Sequence, residues 1–141
     1  MRVRLPGILA AVFVFGVTVP TFAHHSFSLE FDKDNCMDLK GTLSGVLWEN
    51  PHAWIDVTVK DANGADVKWH LEMVTPNALK RTGTTKEDFL ENIGKPIAAR
   101  VCLAKGGVEH RGAASYLALK DGLIRLVGQG VERRSDDEKH F

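Results

Sequence analysis

Two adjacent histidines, His24 and His25, directly follow a segment with the features of a secretory signal. Cleavage after Ala23 would make His24 the first residue, and its α-amine and imidazole can then chelate one metal ion together. Amine and imidazole nitrogens favour copper(II) over zinc in the usual order of metal affinities. A third nitrogen would complete a T-shaped site of the histidine-brace kind. We therefore predict a copper site at the mature N-terminus.

His52 is the best candidate for the third nitrogen ligand. It follows Pro51 at the start of a predicted strand, where its ring can be held rigidly. His25 is the alternative ligand, although adjacent residues strain a three-nitrogen chelate on one face. In the competing interpretation, His24 and His25 are simply a solvated terminus and His52 is a turn residue.

Sequence patterns typical of enzymes are missing from the chain. The serines lie in no nucleophile-elbow context. Lys105-Gly106-Gly107 is too short for a phosphate-binding loop, and there is no HExxH sequence. We therefore expect a non-enzymatic binding protein, whose partner is a metal ion or an unidentified periplasmic molecule.

The first 23 residues predict export. Arg2 and Arg4 precede an uncharged, mostly apolar stretch at residues 8–19, and Thr21-Phe22-Ala23 ends in a cleavage signal. A helix of this stretch would span roughly 18 Å, less than the ~30 Å hydrocarbon core. We expect a bacterial periplasmic or secreted protein without a membrane span after cleavage; an uncleaved anchor is the alternative.

The composition is that of one globular domain: 141 residues, 44% hydrophobic and 26% charged. Its 18 basic and 18 acidic side chains balance, so we expect no nucleic-acid partner. We divide the chain into a signal peptide (1–23), a single β-barrel-like domain (24–131) and a charged tail (132–141).

The two cysteines, Cys36 and Cys102, predict a disulfide, because an isolated pair in an oxidising compartment usually forms one. Both lie on the outward parity of strands that pair in the fold proposed below. Two unrelated buried thiols are the alternative.

Alternating apolar and polar residues predict an all-β chain with a short helical insertion. A three-residue loop, 62–64, with Gly64 left-handed, would place Asp56 opposite His70 and Trp54 opposite Glu72. Thr75 and either Thr84 or Thr85 are predicted to cap two short helices. Strands are expected at 37–47, 53–60, 67–73, 97–103, 115–119 and 123–127.

Three strands, a helical segment and two or three further strands predict a small OB-like barrel. A two-sheet β-sandwich is the alternative. By parity, Trp69 points inward, whereas Trp48 and Trp54 point outward, where they could stack on a saccharide, a peptide or a protein partner. Alternatively, Trp48 packs against Phe27 and Phe31.

Three segments resemble a known family: Ala23-His24-His25-Ser26-Phe27, then Trp48-Glu49-Asn50-Pro51-His52, and Thr75-Pro76-Asn77-Ala78-Leu79. Together they resemble DUF6152, a family of small exported bacterial proteins of unknown function, over roughly residues 23–128. The resemblance implies an exported single-domain β protein and supplies no catalytic residues. The cysteine pair and His70 depart from the usual family pattern.

Overall fold

A computed structural model describes residues 27–128 of the chain. Within this range, three helices and six strands follow one another in the order α1, β1–β3, α2, α3, β4–β6. Their bounds are α1 Phe27–Glu30, β1 Phe31–Leu47, β2 Trp54–Lys60, β3 Asp66–Glu72, α2 Pro76–Arg81, α3 Lys86–Leu90, β4 Pro96–Ala104, β5 Arg111–Ala118 and β6 Ile124–Leu126.

The first five strands close into a barrel. β1 pairs with both β2 and β4, β2 pairs with β3, and β4 pairs with β5, all antiparallel. A short parallel pairing between β3 and β5 closes the ring, and β6 extends from β5. This arrangement confirms the predicted OB-like barrel and excludes the two-sheet sandwich, because closure removes the open sheet edges that a sandwich retains.

The core lies inside the barrel and under the helical insertion. Inward side chains of β1, β2 and β4 alternate with outward polar ones, as the sequence predicts. Leu79 of α2 and Phe89 of α3 are fully buried against this core. The Thr75 and Thr85 hydroxyls accept hydrogen bonds from the Ala78 and Asp88 amides, so both predicted helix caps are present.

The hairpin between β2 and β3 has the predicted register. Asp56 lies opposite His70 and Trp54 opposite Glu72. The left-handed backbone of Gly64, with a φ of 79°, forms the predicted three-residue loop. The chemistry-bearing side chains of both strands therefore share the outer face.

A bulge in β1 overturns the predicted orientation of Trp48. The pairing of β1 with β2 shifts between Leu43 and Gly45, so the residues beyond the bulge change sides. Leu47, predicted inward, is consequently 46% exposed. Trp48 packs against the core instead of pointing outward, with its ring centroid 5.8 Å from that of Phe89.

Two strands begin earlier than predicted. β1 starts at Phe31, which is buried, and β5 starts at Arg111. After Arg111, residues 112–115 of β5 are small and buried on both faces, so this part of the strand lacks the alternation by which a strand is recognised.

Cys36 and Cys102 form the predicted disulfide across β1 and β4, where the two residues are direct register partners. The bond lies close to the start of β1, just after α1. No helix within residues 27–128 is long and apolar enough to cross a membrane.

Candidate functional site

A histidine and a glutamate form a close, mostly buried pair on the outside of the barrel. His52 Nδ1 lies 2.6 Å from Glu72 Oε1, and the side chains are only 13% and 9% exposed, respectively. His52 precedes β2 by two residues, and Glu72 is the last residue of the adjacent strand β3. The carboxyl group therefore fixes the orientation of the imidazole ring, as carboxylates do behind many metal-binding histidines.

The surroundings of Glu72 favour its protonated form. Burial is the main cause that raises the pKa of Glu72 to about 7; the negative charge of Glu30 raises it further, and the positive charge of Arg111 opposes the rise. The carboxyl group thus titrates near neutral pH, where it either accepts a hydrogen bond from the His52 ring or donates one to it.

Helix α1 carries a second carboxylate towards this pair. Glu30 Oε2 lies 3.2 Å from Nη2 of Arg111, the first residue of β5. The backbone of Glu30 also accepts a hydrogen bond of 2.8 Å from the Lys105 amide. The end of α1 is therefore attached to the barrel near the β3–β5 closure, where Glu30 raises the pKa of Glu72.

Aromatic and charged groups surround the same closure. The imidazole of His70 stacks on Trp54 with a centroid separation of 4.4 Å and an angle of 5°. The guanidinium carbon of Arg111 lies 5.4 Å from the Trp54 ring centroid. The predicted outer face is thus present at Trp54, but His70 covers one face of that ring.

Asp56 links the side chains of His70 and Lys68 on the exposed side of this cluster. Its carboxylate lies 2.8 Å from His70 Nδ1 and 3.2 Å from Lys68 Nζ, which confirms the predicted pairing with His70. Burial alone would raise the pKa of Asp56, but the hydrogen bonds from His70 and Lys68 and the charge of Lys68 lower it below its ordinary value. The pair anchors β3 against β2.

The predicted metal ligands lie partly outside the described residues. His24 and His25 precede residue 27, whereas His52 lies in the pair with Glu72. Among residues 27–128, no group of three or more His, Cys, Asp or Glu side chains is placed to hold a metal ion.

The two tryptophans predicted to share a binding face are on different sides of the barrel wall. Trp48 packs inward against Phe89 and the core; of the alternative contacts predicted for it, the side chain of Phe27 lies outside the described part of the chain. Trp54 remains on the outer side, beside His70 and Arg111. The parity argument failed for Trp48 because it assumed an unbroken strand.

Three residues of the site were not predicted from the sequence: Glu72, Glu30 and Arg111. The hairpin register correctly placed Glu72 on the outer face but did not indicate that it is buried there. Its burial depends on α1 and β5 meeting at the barrel closure, which no local pattern indicates. Arg111 lay in a predicted loop, because the small residues after it hide the start of β5.

The comparisons with known proteins give a family and no activity. The chain matches a family of unknown function, DUF6152, over residues 11–114, which is more than half of its length. No curated protein and no solved structure matches the chain.

Proposed function

Because this chain belongs to the DUF6152 family, whose function is unknown, we propose its role from the site itself: it is an exported, non-enzymatic protein that binds one copper ion at its mature N-terminus. The ligands are the His24 amine, the His24 ring and the His52 ring. The observation that carries the proposal is the contact of 2.6 Å between His52 Nδ1 and a nearly buried Glu72.

Glu72 supports the role of His52 as a ligand by orienting its ring. With Nδ1 directed at the carboxyl group, Nε2 is the nitrogen that a metal ion takes. A carboxylate behind a ligating imidazole also increases the basicity of the ring, and loss of such a partner typically reduces metal affinity 10- to 100-fold.

The position of Glu30 supports the proposed approach of the mature N-terminus to His52. Glu30 lies close enough to Glu72 to raise its pKa, and Glu72 touches His52. His24 is six positions before Glu30 in the sequence, and the last three of these steps lie in helix α1. A helix rises about 1.5 Å per residue, whereas an extended chain spans at most about 3.3–3.6 Å per residue. The chain from His24 to Glu30 therefore spans at most roughly 15 Å, and the proposal requires the His52 ring to lie within that reach.

The proposal is tested by copper(II) titration of the exported protein against a competing chelator, after mass spectrometry has confirmed that it begins at His24. A variant with one additional residue before His24 keeps every side chain but moves the α-amine out of the chelate. We expect its copper affinity to fall at least about tenfold, because one residue no longer supplies two preassembled ligands.

Two substitutions complete this experiment. His52→Ala should weaken copper binding but leave the two-nitrogen chelate of His24. His70→Ala should leave the copper affinity almost unchanged, because Asp56 and Trp54 hold the His70 ring in the exposed cluster. Equal affinities of the native and the extended N-terminus would reject the proposal. The outer face around Trp54, as a site for a saccharide, peptide or protein partner, would then be the better hypothesis.

A further inference from the structure

An open cavity of about 340 Å³ lies between helix α1 and the connection from β4 to β5. Its volume is near the lower end of the roughly 300–1,000 Å³ that small-molecule sites occupy. Leu29 and Val108 line it although 72% and 49% of their surfaces are exposed, and Ala104 lines it from the end of β4. The cavity therefore offers an apolar wall that the core of the barrel does not use.

Two cationic side chains, Lys105 and Arg111, line the same cavity. The Lys105 ammonium donates a hydrogen bond of 2.7 Å to the Ser28 carbonyl, and Arg111 Nη2 lies 3.2 Å from Glu30 Oε2. Ammonium and guanidinium groups each carry several N–H donors, so both side chains keep donors for a ligand. Among the described residues that line the cavity, Glu30 is the single acid, and positive charge therefore exceeds negative charge by one.

The positions of both cationic groups are defined by contacts within the protein. The guanidinium carbon of Arg111 lies 5.9 Å from the Phe31 ring centroid and 5.4 Å from that of Trp54. The Lys105 amide donates a hydrogen bond of 2.8 Å to the Glu30 carbonyl, which ties the start of the β4–β5 connection to α1. Groups that are already held in place lose less conformational entropy when a ligand binds.

We propose that this cavity binds a small monocarboxylate with a short aliphatic chain. The carboxylate accepts hydrogen bonds from Arg111 and Lys105, and the chain lies against Leu29 and Val108. Its single negative charge matches the excess positive charge of the lining, and the planar guanidinium suits a carboxylate. A phosphate, with a charge of about −1.5 to −2 at pH 7, would exceed that match. The site needs no copper.

The first test is calorimetric titration of the purified protein with acetate, butyrate, hexanoate and octanoate, in the presence of EDTA so that copper plays no part. We expect the affinity to rise about fourfold for each methylene group that enters the cavity and to level off once the chain extends beyond it. Hexan-1-ol and hexylamine have the same chain without the negative charge and should bind at least about tenfold more weakly than hexanoate. Equal binding of hexan-1-ol and hexanoate would reject a carboxylate site.

The second test compares Arg111→Gln with Arg100→Gln, using hexanoate as the probe. Arg100 is a matched control, because it forms an ion pair of 3.1 Å with Asp38 on β4 and β1, at an exposure close to that of the Arg111 pair. Arg111→Gln should bind hexanoate about tenfold more weakly, whereas Arg100→Gln should retain the affinity of the unmodified protein. An equal loss in both variants, or in neither, would overturn the assignment of Arg111.

A substitution in the exposed connection keeps the proposal testable if Arg111→Gln does not fold. Val108→Asp places a negative charge beside the proposed carboxylate and should abolish hexanoate binding, whereas the neutral Val108→Asn should weaken it by only about fourfold. In the nuclear magnetic resonance spectrum of the unmodified protein, hexanoate should shift the amide signals of Lys105 and Gly106, which line the cavity, and the Arg111 Nε signal. Shifts confined to other parts of the barrel, or similar affinities of the two Val108 variants, would show that hexanoate binds elsewhere.

Discussion

Glu72 is a carboxyl group on the outer side of the barrel that is nevertheless almost fully buried. Its neighbours in the sheet do not explain this, because outward residues of an antiparallel strand usually face water. The burial follows from the meeting of β2, β3 and β5 with α1 at the closure, where Glu30 and Arg111 lie near it. A site with an altered proton affinity therefore arises from the way in which the barrel closes.

The raised pKa of Glu72 predicts a pH dependence of stability in the metal-free protein. The folded state binds the proton up to about pH 7, whereas the ordinary pKa of a glutamate is 4.5. Between these two pH values the folded state binds more protons than the unfolded state. The free energy of unfolding therefore falls as the pH rises from 4.5 to about 7. The side chain of Glu72→Gln stays neutral at every pH. Above about pH 7, its free energy of unfolding should therefore exceed that of the unmodified protein by at most roughly 3 kcal/mol.

Urea unfolding at several values between pH 4.5 and pH 8 measures this difference. Asp56→Asn is the control with the opposite sign: the pKa of Asp56 is lowered, so its charged form stabilises the folded state above its ordinary pKa. The free energy of unfolding should therefore fall in Asp56→Asn at neutral pH. Parallel pH profiles for Glu72→Gln and the unmodified protein would contradict the raised pKa.

At the scale of elements, the sequence predicts strands and caps well wherever the pattern is local. The hairpin register followed from the loop with Gly64, and the caps followed from Thr75 and Thr85. The orientation of Trp48 could not be predicted, because one extra residue at the bulge reverses every side chain beyond it. Within the site, the sequence singled out His52, whereas the burial of Glu72 and the position of Arg111 could not be predicted, because they depend on strands far apart in sequence.

Gly112 is the residue that allows β5 to approach β4 at the barrel closure. A Cβ atom on Gly112 would lie 2.4 Å from Val101 Cγ1 and 2.8 Å from the Cys102 carbonyl oxygen. Gly112 also pairs with Leu71 of β3, so a shift of β5 disturbs both of its neighbours. The small residues that obscured this strand in the sequence are therefore required by its close packing.

We predict that Gly112→Ala lowers the free energy of unfolding by about 2 to 3 kcal/mol, because the added methyl group overpacks the β4–β5 contact. The matched control is Gly64→Ala, whose Cβ would meet nothing within 4 Å and which pays only for its left-handed backbone, about 1 kcal/mol. Denaturant unfolding compares the two variants. A smaller loss in Gly112→Ala than in Gly64→Ala would show that β5 can move away from β4 easily.

For the whole molecule, the barrel and the site are connected through the first strand. β1 follows directly on α1, and it pairs with β4, to which the disulfide also links it. Beyond the bulge, the chain of β1 continues towards His52. The fold class followed from the order of elements, because few topologies accommodate three strands, a helical insertion and three more strands. The function did not follow from the fold, since barrels of this kind hold many unrelated sites.

The disulfide should contribute strongly to global stability, because Cys36 and Cys102 are 66 residues apart in sequence. Closing a loop of that size restricts the unfolded chain and stabilises the folded state by at most about 4 kcal/mol. We expect Cys36→Ala/Cys102→Ala to unfold at correspondingly lower denaturant concentration, with its β structure retained in circular dichroism. Dithiothreitol should destabilise the unmodified protein towards the level of the variant and leave the variant itself unchanged. Alkylation of both thiols in the denatured protein without prior reduction would contradict the bond.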